Sequence, residues 1–275
     1  MKNTGKTTMN QGFQQFLKNW FSTSPGRVTY EQEKRLLDEA LKNLFGYFLV
    51  QLGCVSKGSL LENSRIKSKI LVDEVIPHVL RKDSLHWVQA ELDFLPIGRE
   101  KADVVVLPHT LETVDDPYYL LRQVDNMLLP EGHIVITGFN GIACMPFRLK
   151  YFSKLKGFNE ANYRRVGRLK EWLEVLGYEV ETVKYSSVMC FAANEKYKSW
   201  AKFIEKVEQA LLRIGLNFGN VYCLVAKKHI DSPTLVGLKW HLPKWQGVRN
   251  GAVASSRSSR LKSRIVTKKR LKQNI

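Results

Sequence analysis

Apolar and polar positions alternate between two periods along this chain, and the switches between them mark its elements. From Val104 to Leu107 four apolar residues run without a break, as expected of a parallel strand covered on both faces. Asp116-Pro117 then signals a helix start, with a capping carboxylate followed by proline at the first helical position. Leu120, Leu121, Val124, Met127 and Leu128 follow at helical spacing, and Pro130-Glu131-Gly132 reads as the stop. His133 to Thr137 is the next strand, leaving through Gly138-Phe139-Asn140. Strand, helix and strand within about 40 residues make a βαβ unit. Such a unit implies an open parallel sheet with ligands at the carboxyl ends of its strands.

The flanking pattern completes the outline. Phe13, Phe16, Leu17, Trp20 and Phe21 form the stripe of a short amphipathic helix, either packed on the main domain or lying as a lid over a cleft. Ser24-Pro25-Gly26 reads as a turn, and Thr29-x-x-Gln32 as a capping box opening a helix with Leu36, Leu37, Ala40, Leu41 and Leu44 inward. Gly46 closes that helix. Strands are expected at 47–52, 69–72 and 87–90, then the central unit. A helix over 164–176 is stopped by Gly177, and a strand at 178–185 follows. A helix over 197–214 and a last strand at 221–226 end the ordered pattern. The fold class is α/β: a doubly wound, Rossmann-like, mostly parallel seven-stranded sheet with a late antiparallel strand. Three regions are expected: an N-terminal helical extension (1–46), the main domain (47–230) and a basic, disordered tail (231–275).

Composition narrows the class. The 275 residues are 44% hydrophobic, enough for a sizeable core. The longest apolar stretch, Leu44 to Val55, is interrupted by Gln51 and is too short for a bilayer, which needs about 20 residues. No membrane association is expected. The first 20 residues lack a signal-like apolar block, so a cytoplasmic location is expected. Four scattered cysteines carry no metal spacing and read as reduced thiols. Net charge is +17, but 13 of the Lys and Arg and one acid lie from Lys227 on, so +12 of it sits at the end. That tail suits phosphate contacts, and RNA bound through 231–275 is the partner it suggests, against a merely solvated tail.

Leu107-Pro-His-Thr-Leu-Glu112, then Asp116-Pro117, then Leu-Leu-Pro-Glu-Gly-His-Ile-Val-Ile-Thr-Gly-Phe139 resembles the fourth strand, helix and fifth strand of the class I S-adenosylmethionine-dependent methyltransferases, specifically the methyltransferase type 11 family. Glu91-Leu-Asp-Phe-Leu-Pro-Ile97 is similar to the third strand and its loop, and Trp20-Phe-Ser-Thr-Ser-Pro-Gly26 with the basic tail is similar to a bacterial branch of that family. The likeness spans roughly Gly46 to Lys228. It implies S-adenosyl-L-methionine as cofactor and transfer of its methyl group to an acceptor that the residues do not name.

Site residues follow from the resemblance position by position. Asp73, with Glu74 beside it, would accept the ribose hydroxyls. Asp93 would face the adenine edge, with Phe94 against the ring; otherwise Asp93 caps a turn. His109 would lie beneath the methionine and could serve as general base, although a packed histidine is commoner. Phe139-Asn140 would face the acceptor. The glycine loop departs from the family's acid-x-Gly-x-Gly: it reads Gln51, Leu52, Gly53, Cys54, Val55, with Gly58 three residues late. A neutral amide replaces the acid, and a β-branched residue replaces the second glycine, resisting positive φ. Cofactor binding through a variant loop of Gln51, Gly53 and Gly58 therefore stands beside a degenerate, non-catalytic member. A Val55 side chain plugging the pocket would favour the second. The Asn/Asp-Pro-Pro-aromatic signature of nucleobase amino methylation is replaced by Leu107-Pro-His-Thr110, and no G-x-G-x-x-G supports a dehydrogenase.

Overall fold

The computed structural model describes residues 11–55, 60–75, 85–92, 94–141, 162–186 and 219–229, all within one compact unit. Two helices come first, α1 (Gln11–Trp20) and α2 (Ser24–Leu41). They lead into β1 (Phe48–Leu52), β2 (Ser68–Asp73), β3 (Leu85–Gln89) and β4 (Ala102–Pro108). A single turn, α3 (Thr110–Thr113), precedes α4 (Pro117–Met127), β5 (Leu128–Phe139), α5 (Val166–Val175), β6 (Tyr178–Tyr185) and β7 (Val221–Lys228).

The seven strands form one sheet in the order β3-β2-β1-β4-β5-β7-β6. Pairing is parallel from β3 through β5, and β7 runs antiparallel to both of its neighbours. The doubly wound sheet and its late antiparallel strand are as expected. The unbroken Val104–Leu107 run has the predicted cause. Val105 and Leu107 enter the cluster formed with α4 and α5, while Val104 and Val106 enter the opposite one, formed with α1 and α2. Strand side chains alternate between faces, so both halves of the run are buried.

α4 begins as read, with the Asp116 carboxylate accepting from the Tyr119 amide at 3.0 Å. It ends at Met127, and Pro130-Glu131-Gly132 lies inside β5 rather than stopping the helix. The strand starts early because Leu128 already pairs with Ala102, across a register shift that absorbs the turn-like residues.

Three expectations near the N-terminus are corrected. Ser24-Pro25-Gly26 is the first turn of α2, not a turn before it. Thr23 caps the helix, accepting from the Gly26 amide at 3.4 Å, with proline in the first turn. Thr29 and Gln32 therefore lie within the helix instead of opening it. α2 ends at Leu41, well before Gly46. Gly46 is needed for a different reason: a Cβ there would sit 2.3 Å from the Asp103 Cβ. The expected 197–214 helix and the tail lie outside the described residues.

The N-terminal helices supply much of one face of the core. Phe13, Leu17, Trp20 and Phe21 of the α1 region and Leu37 and Leu41 of α2 are buried against β4, β5 and β7 residues. Burying each such side chain stabilises the fold by about 1.5–3 kcal/mol. Among the described residues, no helix is long and apolar enough to cross a membrane.

Candidate functional site

The carboxyl ends of β1, β2, β4 and β5 converge on two buried polar clusters, and a helix from the N-terminus closes each one. The first is built on Asp73, the last residue of β2, which is fully buried. Its carboxylate accepts from the Cys54 amide at 3.1 Å and the Glu74 amide at 2.8 Å. The Gln14 side-chain amide of α1 lies 3.0 Å from both Asp73 oxygens and also donates to the Cys54 carbonyl at 3.2 Å. Lys18, one turn further along α1, places Nζ 3.6 Å from the same carboxylate. These donors satisfy both oxygens of the buried carboxylate.

The loop after β1 passes beside this cluster. Gly53 adopts φ +83°, a conformation strained for any residue with a Cβ, and its amide donates to the Val72 carbonyl at 2.8 Å. Gln51 turns its amide onto the Gly53 carbonyl at 2.8 Å and so braces the loop. Val55 is 2% exposed and belongs to the same apolar cluster as Phe13 and Leu17 of α1. In this conformation, then, Val55 is packed with α1 instead of opening onto a pocket. Gly58 and Asp93 lie outside the described residues. Phe94 is 84% exposed and is not gathered with the other site residues.

The second cluster is built on His109, at the turn after β4. Its backbone is left-handed, with φ +52°, and its ring is fully buried. Nδ1 lies 2.7 Å from Glu112 Oε2, and Nε2 lies 3.3 Å from Glu33 Oε2 of α2. Glu33 also accepts from the Thr137 hydroxyl at 2.6 Å, and Glu112 accepts from the Phe139 amide at 2.5 Å. The ring lies tilted by 44° against Phe139 with centroids 4.3 Å apart, Phe21 lies 5.8 Å away, and Trp20 and Tyr163 close on Phe139.

Burial works against the charged imidazolium, but the Glu33 and Glu112 carboxylates outweigh it and raise His109 to about 10. Burial likewise pushes the Glu112 carboxyl up, opposed by the His109 charge. At neutral pH the ring is a cation with both nitrogens engaged. It can take up a proton only after a carboxylate partner withdraws.

Sequence reasoning reached Gln51, Gly53, Asp73 and His109 but missed the partners that complete both clusters. Gln14 and Lys18 are four apart on α1, beside its apolar stripe. Glu33 stands four residues before Leu37 on the buried face of α2. A polar or charged residue at an inward position of an apolar stripe was the available signal.

Comparison with known proteins agrees with the geometry. Residues 66–136 match the family model described as a methyltransferase domain. An uncharacterised Escherichia coli protein, YafS, is 28% identical over 164 residues, covering 58% of this chain and 65% of its own length. An S-adenosylmethionine-dependent methyltransferase from Thermotoga maritima, described as a possible histamine N-methyltransferase, superposes with a TM-score of 0.61 at 17% identity, covering 80% of this chain and 99% of its own. A second such enzyme, from Archaeoglobus fulgidus, superposes with a TM-score of 0.54 at 17% identity, covering 78% of this chain and 98% of its own. The fold is that of the class I S-adenosylmethionine-dependent methyltransferases, and the resemblance read from the sequence is borne out.

Proposed function

We propose that this chain is an S-adenosylmethionine-dependent methyltransferase whose N-terminal helices close over the cofactor and acceptor halves of its site. The observation that carries the reading is the buried Asp73 carboxylate, approached on both oxygens by one Gln14 amide. A ribose offers two adjacent hydroxyl donors to such an acceptor, so Gln14 acts as a stand-in for the diol. Asp73 would hold the ribose of the cofactor once α1 moves aside. Gln51, a neutral amide, offers the ammonium group a hydrogen-bond acceptor without a charge.

The cofactor supplies a methyl group already activated on sulfonium, so the chain's task is alignment and proton management. Asp73 would orient the sugar, and Gly53 would keep the backbone clear of it. His109, held between Glu112 and Glu33, keeps its proton while α2 is docked. An acceptor entering beside Phe139 and Asn140 would displace Glu33, which would take the Nε2 proton with it, and the neutral Nε2 would then accept the proton that the acceptor loses. RNA retained by the basic tail fits the same chain as a partner, independently of the acceptor. Deleting 232–275 tests that role through loss of salt-dependent RNA retention.

A degenerate, non-catalytic member is the second reading, favoured by the burial of Val55 against α1. Calorimetry with S-adenosylmethionine and S-adenosylhomocysteine separates the two. Binding by the natural chain, together with cofactor found by mass spectrometry in purified protein, supports the enzyme. Silence at millimolar ligand, with binding restored by Gln51→Asp/Val55→Gly, supports the degenerate member.

A further inference from the structure

Along the edge formed by the amino ends of the parallel strands, opposite the two clusters, three aromatic rings stand in solvent. Phe45 and Tyr47 in the α2–β1 connection are 65% and 81% exposed, and Phe48 at the start of β1 is 46% exposed. The chain is held rigidly there: Asp103 Oδ2 accepts from the Tyr47 and Phe48 amides at 2.9 and 2.8 Å, and Gly46 rests on the same side chain. Cations ring the patch. The Arg65 guanidinium lies 5.6 Å from the Phe45 ring centroid. Exposed Lys67 precedes Ser68, the parallel partner of Phe48, and exposed Lys101 precedes the β4 strand that carries Asp103.

Exposing three large rings has a cost unless something covers them. We propose that this edge is a stacking platform for single-stranded nucleic acid, with bases on Phe45, Tyr47 and Phe48 and phosphates on Arg65, Lys67 and Lys101. The complementarity is chemical on both counts. Flat rings accept any base face, and adjacent cations meet the backbone. The choice over an anionic membrane rests on side-chain type. The large apolar side chains exposed at this edge are aromatic, whereas the exposed aliphatics Val75 and Val175 follow the carboxyl end of β2 and end α5. The platform is distinct from the tail, which offers charge, and it does not depend on methyl transfer.

The test uses the full chain and two fluorescent oligomers of about 12 nucleotides, one oligouridylate and one abasic with the same phosphates. Anisotropy should show the natural chain binding the base-bearing oligomer about tenfold more tightly than the abasic one. Phe45→Ala/Tyr47→Ala/Phe48→Ala should erase that preference and leave the abasic affinity, set by phosphate contacts, unchanged. Arg65→Ala/Lys67→Ala should weaken both and flatten the salt dependence. Equal affinity of the natural chain for the two oligomers overturns the proposal, as does a preference that survives loss of the rings. Loss of binding to phosphatidylserine vesicles in the ring variant, with the oligomer preference intact, overturns it in favour of a membrane surface.

Discussion

The side-chain amide of Gln14 lies 3.0 Å from each carboxylate oxygen of Asp73, across 59 positions of sequence. One helix residue thereby ties the N-terminus to the end of the second strand and occupies the acceptor on which the proposed cofactor depends. Closing α1 and binding a ribose are alternatives at that carboxylate. Any ligand that uses Asp73 must first displace Gln14, and its apparent affinity falls by the fraction of molecules that are closed.

Replacing Gln14 by alanine is expected to have opposite effects on stability and binding. The variant loses donors to a buried charge and should be destabilised by about 1–3 kcal/mol in urea unfolding. Its calorimetric affinity for S-adenosylhomocysteine should rise at the same time. Weaker binding together with lower stability would show that Gln14 helps to hold the ligand rather than competing with it.

Glu33→Gln keeps the shape of the side chain and removes one of the two charges facing His109. The imidazole should then titrate well below the value of about 10 to which the carboxylates raise it. NMR of the ring protons in natural and variant protein measures this directly. Glu33→Ala, which also removes the partner of Thr137, should cost about 3–5 kcal/mol of stability by breaking a buried ionic cluster.

The same cluster fixes the sign of a pH dependence. His109 is raised to about 10 in the fold from an ordinary value of 6.5. Its contribution to stability is therefore complete below about 6.5 and is lost as pH rises through about 10. Glu112, also raised, contributes with the same sign. Urea midpoints should fall between about pH 6.5 and 8.5, below the range where thiols titrate freely. His109→Gln should be markedly flatter across that window. An equal slope in the variant would remove His109 from the account.

Gly138 lies where β5 passes the second cluster. A Cβ there would meet Tyr222 Oη at 2.6 Å and Glu112 Oε1 at 2.9 Å. Gly138→Ala should lower stability by about 1–3 kcal/mol through overpacking. Gly167→Ala, with nothing within 4 Å of the added methyl, is the control and should be neutral or mildly stabilising because alanine favours the helix.

Sequence alone determined the sheet and the strand ends on which the candidate site stands. The unbroken Val104–Leu107 run, the Asp116-Pro117 start and the period of α4 are local signals, and local signals survive being read one window at a time. Asp73 and His109 came from the family resemblance, which assigns roles to residues at the ends of the second and fourth strands, and a parallel sheet brings such ends together. Gln14, Lys18 and Glu33 were not legible as site residues, because their meaning lies in what they touch. Each sits on a helix whose docking onto the sheet brings it to a carboxylate or an imidazole far away in the chain, 76 positions in the case of Glu33 and His109. Only the tertiary fold decides that, since the energy that places a buried ion comes from partners that local sequence does not contain.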